Sequence, residues 1–82
     1  MLGAGIEDGD ILVVDRALSP ADGNIIIAAV NGEFTVKRLE IRDGSVRLLP
    51  ENPAYRPIEL CKSDEAEFFG VVTWVIKQLK KS

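Results

Sequence analysis

A chain of 82 residues with no histidine and one cysteine has few routes to covalent chemistry. A Ser-His-Asp triad, a histidine general base and a histidine-ligated zinc site are all excluded. With Cys61 alone, an internal disulfide and a cysteine metal cluster are excluded as well. Cys61 has no imidazole to activate it and reads as a small buried hydrophobe. Asp8 and Asp10 flank Gly9 as in a cation loop, but too few oxygen ligands follow, so the segment reads as a turn and no metal or cofactor is expected. Ser19 precedes Pro20 in a loop, and Ser63 reads as a cap ahead of Asp64 and Glu65. What is left is an amine, since a lysine serves as a base if its surroundings disfavour the ammonium form.

The elements that would create such surroundings follow from the punctuation. Asp8-Gly9, Asp22-Gly23, Asn31-Gly32, Asp43-Gly44 and the Pro50 to Pro57 stretch separate short runs rich in Val and Ile, which read as strands. The expected strands are Asp10 to Arg16, Asn24 to Val30, Glu33 to Arg42, Ser45 to Leu49, Ile58 to Leu60 and Phe68 to Ile76. The last run contains five β-branched residues and a tryptophan between Val71 and Ile76, which favours strand over helix. Only Lys62 to Glu67 reads as a helical turn, or equally as a loop. The fold class is therefore all-β: a strongly bent, mostly antiparallel assembly of about six or seven short strands.

Asn31-Gly32 and Asp43-Gly44 suit two-residue type I′ turns, which need positive φ at both central residues. Register then follows by counting. Val30 faces Glu33, Ala28 faces Thr35 and Ile26 faces Lys37; beyond the second turn Arg42 faces Ser45, Ile41 faces Val46, Glu40 faces Arg47 and Leu39 faces Leu48. Alternation gathers Thr35, Lys37, Leu39 and Ile41 with Ile26, Val46 and Leu48 on one face. Arg38, Glu40 and Arg47 fall on the other, where Glu40 and Arg47 form a cross-strand ion pair. Lys37 is thus the one charged group on an otherwise apolar face: a candidate base, or a rim lysine whose stem packs while its head reaches water. Ser45 lies about five residue pairs away from it, too far for proton transfer.

Ten Lys plus Arg against 13 Asp plus Glu give a net charge of −3, so the chain's field repels nucleic acid and direct DNA binding is not expected. Lys77, Lys80 and Lys81 read as a solvated end. The longest apolar run, Ile25 to Val30, is far short of the ~20 residues of a membrane helix. No basic and apolar leader opens the sequence, so the expected location is cytoplasmic. A single domain of this size buries only about 60% of its unfolded surface, which points to a reducing compartment or to stabilisation by a partner.

The segment Met1 to Asp15, with Met1, Gly5-Ile6, Asp8-Gly9-Asp10 and the strand ending Val14-Asp15, resembles the signature of the LexA/UmuD family of self-cleaving serine peptidases. Glu33-Phe34-Thr35-Val36-Lys37-Arg38-Leu39 resembles the segment holding the family's catalytic lysine, with Lys37 on that position. Leu48 to Tyr55, Pro57-Ile58 and Phe69-Gly70-Val71-Val72 are similar to the strands and loop that follow, and Trp74 to Lys77 look more like UmuD than like a LexA repressor.

The resemblance implies a Ser/Lys dyad whose nucleophile is the serine immediately before the methionine, a position these 82 residues do not include. It also implies a cleaved Ala-Gly or Cys-Gly bond further upstream, and an oxyanion site close to Met1. Residues 1–82 are then expected to be one peptidase-family core domain without cleavage segment or nucleophile, inactive by itself. They would come from a longer gene whose start was assigned late, or from a trimmed C-terminal core. The implied partners are a second copy, through the strand bearing Val71, Thr73, Trp74 and Val75, a RecA–single-stranded-DNA filament and a Y-family translesion polymerase subunit. The implied role is that of a UmuD-like SOS-response factor, or alternatively the C-terminal domain of a LexA-like or phage-type repressor. Trp74 would either anchor the dimer or fill the core.

Overall fold

The computed structural model describes residues 4–50, 57–60 and 65–79. They form six strands: β1 (Ile11–Asp15), β2 (Ile25–Val30), β3 (Glu33–Arg42), β4 (Ser45–Leu49), β5 (Ile58–Glu59) and β6 (Ala66–Ile76). The strands make one antiparallel sheet in the order β1-β6-β2-β3-β4-β5. No α-helix occurs among the described residues.

Local sterics set the middle of this sheet. Asn31 and Gly32 have φ of 49° and 86°, and Asp43 and Gly44 have 51° and 77°, as type I′ turns demand. Both hairpins therefore take the register counted from the sequence, with Lys37 opposite Ile26 and Leu39 opposite Leu48. The ladder is prolonged beyond β2, because Gly23 N donates to Leu39 O and Leu39 N to Asn24 O, each at 2.8 Å. The Asp22 carboxylate accepts from Ile41 N at 2.8 Å. On the far face Arg47 Nη1 meets Glu40 Oε1 at 3.0 Å, the expected ion pair.

Ile26, Ala28, Leu39, Leu48 and Val71 make the buried core, with Val30, Val46, Leu60 and Phe68 packed against it. Four of these five come from the two hairpins. Val71 comes from β6, which inserts between β1 and β2 and closes the core over a long sequence separation.

β6 departs from simple alternation. Its register slips by one residue opposite Ile27/Ala28 and again opposite Val13/Val14, leaving Phe69 and Thr73 as bulged residues. Bulges bend and twist a strand, and they reset which side chains share a face. Phe68 therefore packs on the core while Phe69 turns away. The Phe69 ring meets Phe34 edge-on at 5.9 Å, and the Arg16 guanidinium lies 4.1 Å from its centroid. Gly70 sits where β6 crosses β1: a Cβ there would collide with Val14 Cγ1 and lie 3.2 Å from Asp15 O.

Two sequence readings change. Ala66 and Glu67, expected in a helical turn or loop, pair with Val30 and Ala29 as the start of β6; residues 62–64 lie outside the described residues, as do Cys61 and Ser63. Trp74, for which core filling was one reading, is 71% exposed. It pairs with Val13 beyond the second bulge.

Leu39→Ala should cost about 2–5 kcal/mol, because the site is 1% exposed and framed by β2 and β4. Ile41→Ala, on the same face but 43% exposed, should cost about 1 kcal/mol or less. Urea unfolding of the two variants checks the difference.

Candidate active-site cleft

Alternation along β3 places Glu33, Thr35 and Lys37 on one face, at increasing depth toward the core. Lys37 is half-buried because its neighbour across the ladder, Ile26, is fully buried. Its stem thus lies against the edge of the core, and Nζ is 3.4 Å from the carbonyl oxygen of Val36.

These three side chains line a cleft of ≈ 680 Å³. Val30, Pro50 and Ile58 supply apolar wall, and Asn31 closes the end nearest the turn. Pro50 follows β4 and Ile58 opens β5, so this wall is brought to β3 by the edge of the sheet. Sequence spacing did not reveal these wall residues. Glu33 was missed on the lysine-bearing face although alternation includes it, so Lys37 is not the only charged group there. The open trough leaves the Lys37 amine accessible to a group brought alongside it.

The other candidates lie elsewhere. Ser45 is exposed at the far turn, opposite Arg42, and Ser19 is exposed in the loop after β1. Met1 lies outside the described residues, so the approach of the chain's first residue to Lys37 rests on the family resemblance. Val71 is spent in the core, Thr73 Oγ1 donates to Val13 O at 3.2 Å, Val75 is half-buried and Trp74 is exposed. No group of three or more metal-ligating side chains occurs among the described residues.

Asp10 has a structural task. Its carboxylate accepts from Glu7 N at 2.8 Å and from Lys77 Nζ at 2.6 Å, so it holds the turn before β1 against the end of β6. Lys77, read from the sequence as part of a solvated end, is this clasp's other half. Together with the buried Ile6, the clasp fixes the turn ahead of β1.

The Peptidase S24-like family model matches residues 1–73, a span that includes Lys37 and the whole cleft lining. The chain belongs to this peptidase family. Its likeness extends to named relatives on both sides of the LexA/UmuD group. It is 42% identical to the LexA repressor of Bordetella pertussis over 94% of this chain and 36% of that protein. To protein SamA of Salmonella typhimurium it is 44% identical over 95% of this chain and 53% of that protein. Protein ImpA of Salmonella typhimurium is also 44% identical, over 95% of this chain and 52% of its own length. The S24 chain thus spans about a third to a half of the curated relatives it matches. No helix among its described residues is long and apolar enough to cross a membrane.

Lys77→Met should leave the sheet intact but weaken the clasp by about 1 kcal/mol, the ion pair being half solvent-exposed. Faster hydrogen exchange at the Glu7 amide, with Leu39 unaffected, is the expected signature.

Proposed function

We propose that this chain is the C-terminal core of a UmuD-like SOS-response protein that cleaves itself with a Ser/Lys dyad. The observation that carries the reading is the half-buried Lys37 in a cleft, inside a chain that belongs to the Peptidase S24-like family. Lys37 is the general base, and the nucleophile is a serine directly preceding Met1 in the full protein. Neutral Lys37 takes the serine proton as Oγ attacks the carbonyl of an Ala-Gly or Cys-Gly bond. The tetrahedral oxyanion collapses to an acyl-enzyme, and the lysine ammonium returns the proton to the departing amine. Water, deprotonated by the same lysine, then releases the acyl group. Histidine has no part in this cycle, in agreement with its absence from the chain.

In this reading self-cleavage occurs on a RecA–single-stranded-DNA filament in the cytoplasm, and the processed form is the accessory subunit of a Y-family translesion polymerase. The working unit is a homodimer. Ile11, Val13, Trp74 and Ile76 are exposed and share one face of β1 and β6 through the pairs Ile11–Ile76 and Val13–Trp74. Such an apolar strip around a tryptophan suits a symmetric contact. Of the strand first expected to make it, Trp74 is the main anchor, with Thr73 and Val75 beside it and Val71 behind in the core.

A second reading, the C-terminal dimerisation and self-cleavage domain of a LexA-like or phage-type repressor, is favoured by the 42% identity to a LexA repressor. The residues encoded before Met1 separate the two. A short segment with Ala-Gly or Cys-Gly supports the first, and about 70 residues with a helix-turn-helix supports the second.

Extending the chain upstream with a Ser at its junction and an Ala-Gly segment should give self-cleavage that accelerates as pH rises, since only the neutral amine accepts a proton. Lys37→Ala should abolish it, and cleavage that persists in that variant removes Lys37 from the mechanism; the 82 residues alone should stay intact. Sedimentation at micromolar concentration should report a dimer that Trp74→Lys converts to monomer. A monomer before substitution would rule out the proposed contact.

A further inference from the structure

The cleft carries two ionisable groups at a defined spacing. Glu33 and Lys37 stand four residues apart on the same face of β3, about 13 Å along the strand, with Thr35 between them. Glu33 is exposed and makes no ion pair or side-chain hydrogen bond among the described residues, so its carboxylate is not committed to the fold. Among the residues lining the cleft Glu33 supplies the acidic side chain, set beside apolar wall from Val30 and Ile58 that concentrates its field.

An extended segment repeats every two residues, as β3 does. A residue held over Lys37 therefore puts the residue four positions away over Glu33. We infer that Glu33 makes the cleft charge-selective, favouring an extended segment with a Lys or Arg four residues from the residue seated over Lys37. The inference rests on the peptidase reading and deepens it: Lys37 addresses the bond, and Glu33 chooses the side chain that accompanies it. An acidic residue at the same place is disfavoured by like charge, and a neutral one is indifferent.

Fluorescence anisotropy with the 82-residue chain and labelled, otherwise uncharged peptides tests this. Each peptide carries one Ala-Gly pair, with Lys, Gln or Glu four positions before or after it. The Lys peptide of one series should bind roughly two- to fivefold tighter than its Gln counterpart at low salt, and the Glu peptide weaker by a similar factor. The preference should shrink as ionic strength rises. Glu33→Gln should erase the preference and Glu33→Lys should reverse it, with thermal melting showing that both variants fold. Equal binding of all three peptides, or a Lys preference that survives Glu33→Gln, overturns the inference. Binding by none of them overturns it too and counts against the cleft as a peptide site. Lys37-dependent self-cleavage of the serine-extended protein reads the peptidase assignment separately, so a charge-blind cleft in an active peptidase would sink this inference alone.

Discussion

The pairing of Lys37 with Ile26 is the constraint on which the rest of the structure turns. Ile26 is fully buried, so the residue opposite it on the same face must lie at the margin of the core. That pairing depends on a two-residue turn. A slip of one position would send Lys37 to the solvated face, together with Leu39, and would expose the largest side chains of the core. The forces that bury Leu39 and Leu48 are therefore the same forces that hold the lysine at the cleft. Core packing and the placement of Lys37 share one register.

A second feature is the division of labour between the two ends of the sheet. At one end β3, β4 and β5 enclose the cleft, with Pro50 and Ile58 forming a wall beside Lys37. At the other, β1 and β6 carry an exposed apolar strip and the clasp between Asp10 and Lys77. β6 joins the two, since it supplies Val71 to the core and Trp74 to the strip. Its bulges at Phe69 and Thr73 let one strand serve both duties by changing which side chains face inward along its length.

Much of the site was legible before any coordinates. The absence of histidine excluded imidazole chemistry, and the Asn-Gly and Asp-Gly pairs allowed the register around Lys37 to be counted. Glu33 was legible in principle, since it belongs to the same alternating set, but it is the exposed first residue after the Asn31-Gly32 turn, where a charged side chain is ordinary. Lys77 was not legible, because its partner lies 67 residues earlier and nothing local distinguishes it from the lysines that follow. The first turn of β6 was hidden for a related reason: Ala66 and Glu67 have little intrinsic strand preference and are held by pairing with β2.

The sequence by itself determined the hairpins β2–β3 and β3–β4, their register and hence the face that carries Lys37. A two-residue turn is decided by local sterics, and positive φ at Asn31, Gly32, Asp43 and Gly44 leaves little freedom over the strands that flank it. Only the tertiary structure decided that β6 runs between β1 and β2, that Trp74 points to solvent, and that Pro50 and Ile58 wall the cleft. Those outcomes join residues far apart in the chain, where loop closure and side-chain fit choose among pairings that local preference cannot distinguish. Each bulge then shifts the alternation by one, and period counting has no means of locating that shift.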